Sequence, residues 1–254
     1  MTILIATSTY DFDPTEVGIP WKILHDAGQY IRFATDTGKA GVCDQRMLKG
    51  NGFGILKPLL IAHKGAQQAY AEMLKDPAFQ NPISYDEINV GDYDGLLLPG
   101  GHAKGIIPYL ESPVLQKAIV EFFKADKPIG AICHGVIPAC RAQNPETGKS
   151  ILFGRKTTAL LKRQEMLAYQ LTRINLGDYY RTYPTPVEDE VVASLENAGD
   201  FSQGPTPVLR DDMDHLSRGF TVRDGNYLSA RWPGDAHKFS LEFLEMIKKA
   251  KLKN

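Results

Sequence analysis

The stretch "PIGAICHGVIPAC", residues 128–140, carries an apolar run into Cys133-His134-Gly135 and out into a second apolar run. Small and branched apolar side chains up to the cysteine predict a buried strand, and the residues after it predict a helix. A turn between two such elements is sharp, and it holds its central residue in a strained backbone conformation. Small neighbours relieve the crowding. Ala131 stands two positions before the cysteine and Gly135 two after, giving the pattern Ala-x-Cys-x-Gly. That is the arrangement of a nucleophile elbow with cysteine in place of serine.

Outward from this turn, strand and helix patterns alternate. "ILIAT" (3–7) is a β-branched run that predicts a central strand, and "YIRFAT" (30–35) predicts a second. Between them Asp13 is placed to cap a helix that starts at Pro14 and ends at Gly28. "YDGLLLPGGHAKG" (93–105) reads as a strand running into a glycine turn. Residues 112–127 read as an amphipathic helix capped by Ser112. "RKTTAL" (155–160) predicts a short strand, and helices follow from Lys162 and Pro186. Asp224-Gly225-Asn226 predicts a hairpin within 219–234, and a last helix closes the chain. The alternation predicts an α/β fold: a doubly wound, mostly parallel sheet with helices on both faces, flavodoxin-like, with its elbow at Cys133. One domain over 1–254 accommodates this, with inserted segments near 36–90 and 162–215. Residues 36–90 are glycine-rich and irregular apart from a helix at "AQQAYAEMLKD".

Composition narrows the function classes. The 29 basic and 30 acidic residues leave a net charge of −1, with no basic face for nucleic acid and no acidic tail. No apolar run approaches a membrane span, and "MTILIATSTYDFDP" lacks the positive start of a signal peptide. Cys43, Cys133 and Cys140 are odd in number and have no metal spacing, which predicts a reducing cytoplasm and no metal site. A small-molecule partner suits such a chain.

Four groups carry candidate chemistry. The thiol of Cys133 is expected to be made more acidic by the helix end that follows it. Cys43 and Cys140 lack small flanking residues and are read as structural. His134 is either a general base or a cation beside the thiolate. Gly100 and Gly101 form a turn whose N–H groups can meet a developing oxyanion, paired with the N–H of His134. Glu16 lies one turn into the helix after the first strand, at the edge where doubly wound sheets bind ligands. If it faces Cys133, the two anions repel and its carboxyl holds a proton.

Taken together, "AICHG", "LLLPGGH", "TEVGIPWKIL" and "VRDGNYLSARWPGDAHKF" resemble the class I glutamine amidotransferase-like superfamily. Within it the chain is similar to the PfpI branch, which holds glyoxalase III enzymes and related heat-shock chaperones. The resemblance implies catalysis by Cys133, His134 and Glu16, with Gly101 in the oxyanion turn. It also implies a third acid about thirty residues beyond the cysteine, which Glu165 supplies here, with Asp178 as the alternative. Glu165 is expected to hold the His134 imidazole. The implied activity is a glutathione-independent, glyoxalase III-like conversion of methylglyoxal to lactate through a thiohemiacetal, without a cofactor. Two alternatives stand beside it: a small-amide or peptide hydrolase using the same cysteine, and a stress chaperone or redox sensor without turnover. Glutamine hydrolysis is disfavoured because no His-x-Glu pair stands near the C-terminus. A homodimer is expected, partly from the resemblance and partly because one loop can hardly bury Phe53, Ile55, Leu59, Leu60 and Ile61.

Overall fold

The computed structural model describes residues 1–252, and the apolar run before Cys133 is a strand deep inside its sheet. From the N-terminus, β1 (Thr2–Ala6) is followed by β2 (Tyr10–Phe12), α1 (Pro14–Asp26) and β3 (Tyr30–Thr35). Then come β4 (Val42–Cys43), α2 (Gln45–Lys49), α3 (Lys57–Leu60), α4 (Lys64–Met73), α5 (Pro77–Gln80) and β5 (Ile83–Ser84). β6 (Gly95–Leu98), α6 (Ile107–Glu111), α7 (Pro113–Lys124), β7 (Ile129–Ile132) and α8 (Val136–Arg141) form the middle of the chain. α9 (Lys162–Leu176), α10 (Val187–Ser194), β8 (Thr221–Asp224), β9 (Tyr227–Ala230) and α11 (Ala236–Lys251) complete it.

The main sheet has seven strands in the order β5-β3-β1-β6-β7-β9-β8. Every pair is parallel except the β8–β9 hairpin. The three central strands are almost wholly buried, which is why they read as unbroken apolar runs. Helices α1, α4 and α11 pack on one face and α6, α7, α8 and α10 on the other. This is the flavodoxin-like α/β architecture.

Local chemistry sets the element ends. The Asp13 carboxylate accepts from Thr15 N at 2.7 Å and Glu16 N at 3.1 Å, capping α1, and Pro14 occupies the first turn, where no N–H is missed. Ser112 caps α7 through Leu115 N.

Three expectations need correction. Residues 155–160 are not a strand: Thr157 makes only an isolated bridge to Phe201. The amide of Thr158 donates to the side-chain hydroxyl of Ser229 in β9 at 2.9 Å instead of to a strand carbonyl. Residues 36–90, expected to be irregular apart from one helix, also supply β5, which extends the edge of the sheet, and α4 buries Ala66, Ala69, Tyr70 and Met73 against the body. The helix expected directly after Cys133 begins as a 3-10 turn over Cys133–Gly135 and ends at Arg141.

Candidate active site

β1, β6 and β7 are neighbours, and their carboxyl ends deliver three parts of one site. After β1 comes α1 with Glu16, after β6 the Gly100-Gly101 turn, and after β7 the turn at Cys133. From β1 the chain goes on to β3 and from β6 to β7, on opposite sides, so the connections part between β1 and β6 and open a crevice there.

The turn is strained in the manner its residues predict. Cys133 has φ +59°, a left-handed conformation that costs a non-glycine residue about 1–3 kcal/mol. A Cβ on Gly135 would lie 1.9 Å from the Leu98 carbonyl oxygen, so only glycine lets the turn pass the end of β6. A Cβ on Gly100 would stand 2.8 Å from both Glu16 Oε2 and His134 N. The absence of a side chain there allows the three segments to meet.

Glu16 is buried, and its Oε2 accepts from Gly100 N at 2.8 Å. Burial first, and then the neighbouring Asp13, push its carboxyl well above the usual range, so it holds a proton. Its Oε1 has no partner among the described residues. The Cys133 thiol is also pushed up, by burial first and then by Glu16. This corrects the expectation of a more acidic thiol. The following helix is short and begins as a 3-10 turn, and the surroundings are apolar, so desolvation outweighs the helix end.

His134 is fully buried, with Nδ1 3.5 Å from Cys133 Sγ and Nε2 3.0 Å from Thr182 Oγ1. Burial, and then the nearby His102, bring its pKa down to about 3, so the imidazole is neutral, which suits the general base of the two expected roles and not the cation.

Cys133, His134 and Glu16 are therefore brought together, whereas Glu165 and Asp178 are not joined to them. Glu165 sits in the first turn of α9, and its Oε2 accepts from Val187 N at 3.0 Å, the first amide of α10. Asp178 is exposed and pairs with Lys104 at 2.5 Å. The place beside His134 expected for an acid is held by Thr182, in the loop "RTYPTP". Nothing in that text marks one threonine among its neighbours. Gly101 packs against the loop at Asp11–Asp13, and its N–H meets no acceptor among the described residues. Cys43 and Cys140 are buried, and burial pushes their thiols up to about 12 and about 11.

The two inserted segments cover the crevice. Met47 and Phe53 from the first pack on Tyr180 from the second, with Leu60, Tyr169, Leu176 and Tyr179 around them. His102, just after the glycine turn, stacks on Tyr180 at 4.3 Å and meets the edge of Tyr179 at 4.7 Å. Cys133 is left 5% exposed. Two surface clefts, of about 320 and 310 Å³, are lined by residues other than Cys133, His134 and Glu16. Among the described residues no three His, Cys, Asp or Glu side chains converge as a metal site. No described helix is long and apolar enough to cross a membrane.

Comparison with known proteins gives a consistent neighbourhood. A family model described as ThiJ/PfpI family-like matches residues 7–194. The glutathione-independent glyoxalase hsp3101 of Schizosaccharomyces pombe is 26% identical over 227 residues, covering 87% of this chain and 83% of that protein. The deglycase PfpI of Pyrococcus furiosus is 25% identical over 166 residues, 65% of this chain and 69% of its own. The crystal structure of glyoxalase III from Candida albicans superposes with a TM-score of 0.68 at 18% identity, covering 97% of each chain.

Proposed function

The chain belongs to the ThiJ/PfpI-like family, and from that premise we propose that it is a cysteine-dependent enzyme of small reactive carbonyl compounds, converting a 2-oxoaldehyde such as methylglyoxal into the 2-hydroxy acid lactate without glutathione. One observation carries the reading: a strained, nearly closed thiol has an imidazole nitrogen at 3.5 Å and a protonated carboxyl beside it. So enclosed a thiol suits a small aldehyde better than a peptide.

The chemistry balances with these groups alone. Sulfur attacks the aldehyde carbon, a C–S bond forms, and the S–H proton passes to His134 Nδ1. The carbonyl oxygen receives the π electron pair and takes a proton from Glu16, giving a thiohemiacetal. Glu16, now a carboxylate, removes the proton on the former aldehyde carbon while the ketone oxygen takes the proton held by His134, giving an enediol; Glu16 then returns its proton to the former ketone carbon as a hydroxyl proton goes back to His134. One carbon is oxidised and the other reduced, so no external oxidant enters. The product is a 2-hydroxy thioester, which water hydrolyses to lactate and the free thiol. The N–H groups of Gly101 and His134 are the oxyanion donors in this reading. The protein works in a reducing cytoplasm, where its three free cysteines remain thiols, and as a homodimer.

The test is direct. Purified protein incubated with methylglyoxal and no glutathione is expected to form lactate, and the Cys133→Ala variant none. No lactate from the wild-type protein, or undiminished lactate from the variant, rejects the proposal.

A further inference from the structure

Thr182 lies between two polar groups. Its Oγ1 is 2.5 Å from the His102 carbonyl oxygen and 3.0 Å from His134 Nε2. A carbonyl oxygen only accepts, and a hydroxyl has a single proton to give. That proton goes to His102, so a hydroxyl lone pair makes the contact with His134. Nε2 must then carry the hydrogen. In a neutral imidazole the other nitrogen is bare. That other nitrogen is Nδ1, the atom 3.5 Å from Cys133 Sγ.

We propose that Thr182 is the positioning residue of this site: its hydroxyl, oriented by the His102 carbonyl, fixes the Nε2–H tautomer of His134 and so presents Nδ1 as the base for the Cys133 thiol. The inference rests on the reading of Cys133 as the nucleophile.

A hydroxyl in this place differs from a carboxylate in one respect. Both orient the ring, but only the carboxylate also stabilises the imidazolium. Thr182 therefore orients without favouring charge. The titratable groups facing the pair act the same way. Asp13, the cap of α1, opposes a thiolate, and His102, from the turn after β6, opposes an imidazolium. Asp235, ahead of α11, acts on Glu16 in the same sense as Asp13. The resting pair is thiol and imidazole, and the proton leaves sulfur only as the carbonyl carbon is attacked. Such a site is quiet toward general alkylating agents and depends on a substrate that can take a proton on its own oxygen.

The test uses readouts that need no substrate. In nitrogen-15 spectra at neutral pH, the His134 resonances, assigned by their loss in His134→Asn, are expected to show a single Nε2–H tautomer. Thr182→Ser, which keeps the hydroxyl, is expected to retain it. Thr182→Val removes the hydroxyl at similar volume, and is expected to give mixed tautomers and a turnover on methylglyoxal about 10²-fold lower. Thr182→Asp supplies the missing charge. It is expected to move the pH profile of Cys133 alkylation by iodoacetamide, read on the Cys133 peptide, at least one pH unit lower. An Nδ1–H tautomer in the wild-type protein overturns the proposal. So does a Thr182→Val variant with wild-type spectra, or a Thr182→Ser variant that has lost the tautomer. If Thr182→Val does not fold, the wild-type spectrum and the Thr182→Asp profile still decide. A protein that shows the tautomer but makes no lactate leaves this inference standing and defeats only the proposed substrate.

Discussion

Glu16 keeps its proton because it is buried beside Asp13, and that proton sets what the residue can do. A carboxyl held neutral donates to a developing alkoxide, whereas a carboxylate would repel it. The pH dependence has a definite sign. The folded pKa lies above the unfolded one, so Glu16 supports the fold fully below the ordinary carboxyl range. That support is lost as pH rises through the raised folded value. Gln at this position stays neutral at every pH and keeps an oxygen for Gly100 N. Glu16→Gln is thus expected to melt no lower than the wild type at pH 8, while turnover on methylglyoxal falls by about 10²- to 10⁴-fold for want of a transferable proton. Thermal melts and initial rates on the same preparation check both halves. A variant with full turnover would remove Glu16 from the proton path. Glu16→Ala leaves the buried Gly100 N–H without its acceptor, and costs about 1–3 kcal/mol irrespective of the chemistry.

Glu165 shows how an element can claim a residue that text alone assigns to chemistry. α10 begins after Pro186 with no cap of its own, and Glu165, reaching across from α9, accepts its first amide. Burial brings the Glu165 carboxyl from 4.5 up to about 7. Its contribution to stability is therefore complete below about pH 4.5 and lost by about pH 7, at most about 3 kcal/mol at roughly 1.4 kcal/mol for each tenfold change in proton affinity. Glu165→Gln is expected to match the wild type at pH 4, to exceed it in denaturant midpoint at pH 8, and to leave the alkylation rate of Cys133 unchanged. A slower or faster thiol would instead tie α9 to the site. The same contrast marks what the sequence discloses. The strands at 3–7 and 128–132 were legible because each is a nearly continuous apolar run, and that at 30–35 because Ile31 and Phe33 alternate with the exposed Tyr30 and Arg32. The caps Asp13 and Ser112 were legible because capping is settled within three residues. The Cys133 turn was legible from Ala131 and Gly135. Thr182 was not, because its link to His134 spans 48 positions and depends on the path of an aromatic loop. Glu165 was misplaced because an offset from the cysteine says nothing of which way a helix faces. β2 and β4, three and two residues long, carry too little pattern to read.

Across the whole molecule, the two stretches outside the alternating pattern meet each other. Met47, Phe53 and Tyr180 form a buried cluster separate from the main core, and Tyr179 OH donates to Asp44 Oδ2 at 2.5 Å. Arg210 adds hydrogen bonds to the carbonyls of Leu59, Leu60 and Ile61. Phe53, expected at an interface between copies, is used inside this cover, while Ile55 and Leu59 remain exposed. Leu167, Leu171 and Ile174 are also exposed and form one apolar stripe of α9. If that surface joins two copies, light scattering is expected to give twice the 28.1 kDa chain mass, and Leu171→Glu with Ile174→Glu to halve it. A single-chain mass over a wide concentration range rules the dimer out. The cover itself makes a sharper prediction. A cluster of three buried residues holds less free energy than the sheet beneath it, so it opens locally before the molecule unfolds. Gly50 and Gly52, both with positive φ, precede Phe53, and Gly177 precedes the tyrosines, so each half leaves its neighbouring helix through a turn that glycine favours. Removing the Phe53 ring takes away the contact with Tyr179 and Tyr180, at 6.3 and 6.4 Å between centroids, without touching β1, β6 or β7. Full burial of phenylalanine in a core is worth about 3–5 kcal/mol on truncation to alanine. Here the loss falls on the opening equilibrium of the cover. Phe53→Ala is therefore expected to raise the rate of Cys133 labelling by a bulky maleimide at least about tenfold more than that by iodoacetamide, because only the larger reagent needs a wide opening. Amide exchange should quicken over 45–61 and 178–183 and stay slow in β1, β6 and β7. Equal acceleration with both reagents, or faster exchange in the central strands, would mean that these segments open only when the whole fold does.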